Sequence, residues 1–235
     1  MQLTLQNVSK FLDVSESTIT RWIKQRGLPA QYVGGQHRFN RAEVLEWAAA
    51  NQIKVSLELF DHLESDGEPI PTLAEALEAG GIFYNLKGTS KETTLRSLVE
   101  VLPLPEGIER EMLFRLFMAR EASASTAIGR GIALPHARNP VILHVECPLV
   151  TLCFLEQAVD FAASDGKPVE VLFSLISPTM RSHLQMLSRI SFALHDAQFK
   201  DAVMRQLPRE EILQEARRVE ATLSAPNAQA GKASD

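Results

Sequence analysis

Residues Ser125 to Arg138 read STAIGRGIALPHAR. Small residues and glycines feed a short apolar segment that ends in Pro-His, with an arginine two residues on. Pro135 fixes φ just before His136. Gly129 and Gly131 permit positive φ, so the main chain can approach a ligand closely. Successive N–H groups in such a loop form an anion-binding nest. A histidine beside a phosphate-sized anion site points to phosphoryl transfer through nitrogen. The same residues also suit a glycine-bearing turn before a strand with an incidental histidine, and the pattern alone does not choose between them.

Working outward, 235 residues with 45% apolar and 23% charged residues are ordinary for globular protein and favour two domains over one. No apolar run reaches membrane-spanning length, and no signal-peptide core opens the chain, so a cytoplasmic protein without membrane insertion is expected. Cys147 and Cys153 have no further cysteine beside them, and they read as reduced core residues. No His, Cys and carboxylate pattern shows metal-ligand spacing, and there is no Walker-type loop. No metal, no cofactor and no ATP are therefore expected. Charge is unevenly shared. Residues 1–55 carry seven Lys/Arg against four Asp/Glu, and residues 56–235 carry 17 against 25. A basic head on an acidic body places any nucleic-acid contact at the N-terminus.

In the head, Leu5, Val8, Phe11 and Leu12 share one helix face within Leu3–Leu12. Ser15 is an N-cap for a second helix over Glu16–Gln25, with Ile19, Trp22 and Ile23 inward, and Gly27 and Pro29 stop it. Residues 32–39 read as a hairpin around Gly34-Gly35. Asn40 and Glu43 open a third helix from Arg41 to about Ala50. This is a winged helix-turn-helix plan, and the second helix would enter the major groove. The run VSKFLDVSESTITRWIKQRGLPAQYVGGQHRFNRAEVLEW resembles small excisionase-type and MerR-like winged-helix modules. That resemblance implies Thr18, Arg21 and Lys24 facing the groove, with His37 and Arg38 on the wing near phosphates. A net charge of +3 is modest, so one copy would bind DNA weakly and a homodimer is expected. Alternatively, the unit is a protein-interaction module.

Residues 53–70 read as a connector whose periodicity fits neither strand nor helix alone. Beyond it, Thr72-Leu-Ala-Glu75 is a capping box and Gly80-Gly81 a stop. Residues 82–86 read as a strand, and 91–101 and 108–121 as helices, the latter with Met112, Leu113, Leu116 and Phe117 inward. Residues 149–155 and 169–176 have buried-strand character. Helices follow over 181–193 and 210–223, and the tail from Ser224 has a disordered composition. The fold class is α/β: a small winged helix-turn-helix domain (residues 1–52) followed by a layered α/β domain with a mixed sheet (71–223).

Three blocks of the body, LAEALEAGGIFYNLKGTSKETTLRSLVEVL, REASASTAIGRGIALPHAR and RSHLQMLSRISFAL, resemble enzyme IIA of the phosphoenolpyruvate-dependent phosphotransferase system, in its mannitol/fructose and nitrogen-regulatory class. That resemblance implies that His136 accepts a phosphoryl group from an HPr-type carrier. Arg120 would offset developing charge or engage the donor's surface, and His183 would orient or hydrogen-bond the phosphoryl group. Main-chain N–H groups around Ser125–Gly131, with the Thr126 hydroxyl, would complete a phosphate cradle of Ser125, Thr126, Gly129 and Gly131. Three functions fit: a phosphorylatable regulator with a DNA-binding head, acting on DNA or on a regulatory target protein; a sugar-uptake phosphocarrier passing the group to a IIB component; and a non-catalytic interaction module that keeps the fold without the transfer.

Overall fold

The computed structural model describes residues 2–51, 53, 70–137 and 145–223. The connector, the tail and Arg138 with its neighbours to His144 lie outside the described residues except at the connector's edges.

The head begins with a short strand β1 (Gln2–Thr4), followed by α1 (Leu5–Phe11) and α2 (Glu16–Gln25). A hairpin of β2 (Gln31–Val33) and β3 (Gln36–Asn40) then leads into α3 (Arg41–Ala50). Thr4 and Asn7 cap α1 reciprocally, and the Ser15 hydroxyl accepts the Thr18 N–H to start α2. β1 pairs antiparallel with β3 on the side away from β2, giving the sheet order β1-β3-β2. The core is Val8, Ile19, Phe39 and Val44 with Trp22 against Trp47, whose rings are 5.3 Å apart. Trp47 donates its indole N–H to the Arg26 carbonyl at 2.9 Å, so the polar edge of a buried ring is satisfied.

The body starts with α4 (Leu73–Gly80), β4 (Ile82–Leu86), α5 (Lys91–Val101) and α6 (Arg110–Ser123). A tight pair, β5 (Ala127–Gly129) and β6 (Ile132–Ala133), precedes the long strands β7 (Leu149–Val159) and β8 (Val169–Ile176). Three helices close it: α7 (Met180–His195), α8 (Ala197–Met204) and α9 (Arg209–Ala221). The sheet order is β4-β7-β8-β6-β5, with β4/β7 and β6/β8 parallel and the other pairs antiparallel. Both faces are covered, and the period of two along each strand shows why. On β7, Leu152 and Phe154 enter one apolar cluster with α4, α7, α8 and α9, while Cys153 and Leu155 enter the other with α5 and α6. Gly80 lets α4 lie directly on β7, since an added Cβ would stand 2.2 Å from the Val150 carbonyl oxygen. A buried Arg189–Glu220 pair ties α7 to α9, and Glu220 also accepts the N–H groups of Leu73 and Ala74 at the start of α4.

The mixed sheet and the order of helices agree with expectation, but several details differ. β1 takes the first residues expected in a helix. Three residues carry no periodic signal, and the pairing comes from β3. In α6 it is Phe114, with Leu113 and Phe117, that is buried, while Met112 and Leu116 are only partly so. α8 was not expected, although Asp196 caps it through the N–H groups of Gln198 and Phe199. Cys153 is buried as expected; Cys147 is exposed and is no core residue, because it stands before β7 begins. Among the described residues no helix is long and apolar enough to cross a membrane.

Candidate functional site

The site lies where the parallel strands β6 and β8 end and helices from both faces of the sheet converge. The chain leaves β6 through Pro135 and bridges to β8 at His136–Leu175. Arg120 comes from the last turn of α6, and His183 from the first turn of α7, behind the Thr179–Ser182 capping box. Crevices at the carboxyl ends of sheet strands are the usual place for ligands in such folds. All three side chains are buried: Arg120 is 8% exposed, His136 2% and His183 1%.

His136 Nδ1 lies 2.7 Å from the Leu134 carbonyl oxygen. A carbonyl only accepts, so Nδ1 carries the hydrogen, and in the neutral ring the lone pair sits on Nε2. Arg120 Nε–H donates to that Nε2 at 3.3 Å, and the same guanidinium donates to the Ala124 carbonyl at 2.8 Å. The His183 ring lies beside it, 5.2 Å between centroids. Neither nitrogen of His183 meets a hydrogen-bond partner among the described residues. A nucleophilic nitrogen, a fixed cation and a second imidazole therefore share one small volume.

A fourth group comes from the head. α3 packs against α7 and β5, and it sends Glu46 into the site. Glu46 Oε2 accepts from Arg120 Nη2 at 2.7 Å, and Oε1 lies 3.3 Å from His136 Nε2. Burial works to raise the Glu46 carboxyl, but a hydrogen bond from Nε2–H of the protonated His136 ring, with the charges of that ring, Arg120 and His183, outweighs it and holds it at about 2. With the ring neutral, Nε2 takes the Arg120 N–H instead and Glu46 keeps Arg120. Burial pushes His183 down to about 3, with His136 and Arg120 acting in the same direction and Glu46 against it.

The donor atoms of Glu46, His136 and His183 lie within 4.8 Å of one another, a grouping the sequence spacing did not reveal. Two imidazoles and a carboxylate are a ligand set for a divalent ion such as zinc. Arg120 stands against both Glu46 and His136, however, and a fixed cation there favours an anion over a metal.

The other expected residues are placed differently. Ser125 donates its hydroxyl to the Phe161 carbonyl at 2.6 Å. Thr126 gives both its N–H and its hydroxyl to Glu121, at 2.9 and 2.6 Å. Gly129, Arg130 and Gly131 have φ of 80°, 55° and 79°, as a tight hairpin turn requires. That turn does not cradle His136. The Gly131 carbonyl accepts from Glu170 and Val171, whereas His136 bridges to Leu175, which puts roughly 15 Å of strand between them. The expected cradle of Ser125, Thr126, Gly129 and Gly131 is thus not assembled around the ring. Its hydroxyls serve the fold, and its glycines serve a turn at the far end of β6.

In the head, Arg21 and Lys24 project from α2 into solvent. The Thr18 hydroxyl is held by Ser15 at 3.0 Å, so it belongs to the helix cap. His37 and Arg38 on the wing are half-buried, with His37 edge-on to Tyr32 at 5.1 Å.

These charges make stability depend on pH. His183 ordinarily takes a proton near 6.5 and here only near 3, so between those values the unfolded chain binds more protons. Its contribution is complete above pH 6.5 and is lost as pH falls toward 3. Glu46, lowered from 4.5 to about 2, acts in the same direction at more acid pH. Thermal unfolding is expected to weaken by about 2–3 kcal/mol between pH 6.5 and 4.5 on account of His183. A His183→Phe protein should show a flatter profile over that range, and equal slopes would refute the assignment.

The comparisons agree with this architecture. A family model described as "Phosphoenolpyruvate-dependent sugar phosphotransferase system, EIIA 2" matches residues 75–217, and one described as "Helix-turn-helix domain" matches residues 3–52. A nitrogen regulatory protein of Pseudomonas aeruginosa is 34% identical over 145 residues, covering 60% of this chain and 91% of that protein. Another, of Bradyrhizobium diazoefficiens, is 31% identical over 117 residues, covering 49% of this chain and 74% of that protein. The crystal structure of nitrogen regulatory protein IIA-Ntr from Neisseria meningitidis superposes with a TM-score of 0.54 at 25% identity, over 61% of this chain and 98% of the other.

Proposed function

Because the chain belongs to the phosphoenolpyruvate-dependent sugar phosphotransferase system EIIA 2 family and carries a helix-turn-helix domain ahead of the EIIA domain, we propose that it is a phosphorylatable regulator whose acceptor is His136. The observation that carries this reading is the orientation of His136. Nδ1 is committed to the Leu134 carbonyl, and the Nε2 lone pair faces a buried guanidinium. Nε2 attacks phosphorus on the phosphohistidine of an HPr-type carrier. The Nε2–P bond forms as the carrier's N–P bond breaks, and that electron pair returns to the carrier's ring nitrogen. Such transfer needs positioning and charge stabilisation more than covalent help. Arg120 supplies the cation for the phosphoryl oxygens, and His183, held neutral by burial, offers a hydrogen bond without a competing charge.

The head supports a role at DNA through Arg21 and Lys24, exposed on the second helix of a winged helix-turn-helix unit. A fragment retarded at low salt should be released by the double change Arg21→Ala, Lys24→Ala. Retention by that variant would shift the role to protein contact.

The phosphoryl reading is tested by incubating the protein with phosphoenolpyruvate, enzyme I and an HPr-type carrier. Acid-labile label on the chain is the expected result, and absence of label with every carrier tried sinks the reading. Adding a IIB component to the labelled protein separates the regulator from a sugar-uptake phosphocarrier, which would pass the label on.

A further inference from the structure

We infer that helix α3 of the head is an internal plug for the EIIA site: Glu46 occupies the place that a phosphoryl group on His136 Nε2 would take, so head docking and phosphohistidine exclude one another. The inference deepens the proposed function and rests on His136 being the acceptor.

Four observations carry it. First, the Glu46 carboxylate engages the two groups a phosphoryl would need. One oxygen is 2.7 Å from the Arg120 guanidinium and the other 3.3 Å from the nucleophilic nitrogen. An anion in contact with a cation and an imidazole is the arrangement of a bound phosphoryl group, supplied here by the chain itself. Second, His136 is 2% exposed, so a carrier protein cannot bring phosphorus to Nε2 while α3 is seated. Third, the seat is apolar as well as ionic. Leu184, next to His183 on α7, is buried within the cluster that includes Leu3, Trp22 and Trp47 of the head. Fourth, charge gives the switch its sign. A phosphoryl group brings about −1.5 to −2 charges to the volume that already holds the Glu46 carboxylate. Like charges at that distance in a buried site repel strongly.

The reacting balance is that of the proposed transfer, with one condition added: Glu46 must leave before the Nε2–P bond can form, and it cannot return until that bond is broken. Coupling of this kind is reciprocal. Whatever docking costs phosphorylation, phosphorylation costs docking by the same factor. Arg21 and Lys24 stay exposed with α3 seated, so the switch acts on where the head is held and not on covering its second helix.

The test uses the full chain, with Glu46→Gln removing the charge at nearly constant shape and Glu46→Lys reversing it. Circular dichroism checks that each variant is folded. Phosphorylated wild-type protein should scatter X-rays with a larger radius of gyration than the unphosphorylated form. Unphosphorylated Glu46→Lys should already show that expansion. Glu46→Gln should take up label about tenfold faster than wild type, because a reaction of the open form scales with the open fraction. Equal labelling rates in wild type and Glu46→Gln, or unchanged scattering on phosphorylation, would overturn the plug while leaving His136 as acceptor. If no protein takes label, the acceptor reading fails. The docking contact is then judged on Glu46→Lys, and compact scattering by that variant overturns it as well.

Discussion

His136→Ala protein, given phosphoenolpyruvate, enzyme I and an HPr-type carrier, is expected to remain unlabelled under conditions that label wild type to completion. The loss should be total because no neighbour can take over. His183 is adjacent, but its low proton affinity marks a ring in surroundings hostile to charge. No hydrogen bond among the described residues fixes which of its nitrogens carries the lone pair. The fold should survive the change. The His136–Leu175 bridge is made by main chain, which alanine retains, and Arg120 keeps both Glu46 and the Ala124 carbonyl. Far-UV circular dichroism and an unchanged elution volume would confirm that the loss is chemical. Equal label in the variant would place the acceptor elsewhere.

Glu220→Ala is expected to remove about 3–5 kcal/mol of stability, a large share of what a domain of this size possesses. Glu220 is 6% exposed and does three things at once. It accepts from Arg189 Nη1 at 2.7 Å, from the Leu73 N–H at 2.7 Å and from the Ala74 N–H at 3.3 Å. Truncation takes the carboxylate away from a buried guanidinium and leaves two N–H groups at the start of α4 without their acceptor. α4, α7 and α9 meet at this one side chain, so its loss loosens three elements together. Glu220→Gln keeps an acceptor but not the charge and should fall between the two. Urea unfolding reads the difference, and a loss below about 1 kcal/mol for alanine would show that the cluster is far less coupled than its geometry implies.

Much of this was legible in the chain. The capping boxes at Thr72 and the stop at Gly80-Gly81 placed α4, and apolar runs placed β7 and β8, because those signals are local. Arg120, His136 and His183 were reached through resemblance, and the fold brings them together. Sequence reading failed where contacts are remote or where proximity in the chain misled. Glu46 is 74 residues from Arg120 and 90 from His136, on a helix whose capping pattern points to Glu43 instead. Nothing in its neighbourhood announces a partner so far along the chain. Gly129 and Gly131 failed for the opposite reason. They lie near His136 in sequence, but an extended strand moves its residues apart by about 3.3 Å each, and the glycines end at the opposite end of β6. The three residues of β1 were too few to show a period, and their pairing is set by β3, more than thirty residues later.

Leu184 carries a consequence for how the two halves can be separated. The two halves match separate families, over residues 3–52 and 75–217, and so read as modules joined end to end. Yet a leucine of the second half completes the interior of the first. A graft that transplanted the head onto another EIIA body would inherit a gap wherever position 184 is small or polar. The two matched units therefore share one interior at this point, and a head cut away from the body would leave Leu184 uncovered and its own core one side chain short.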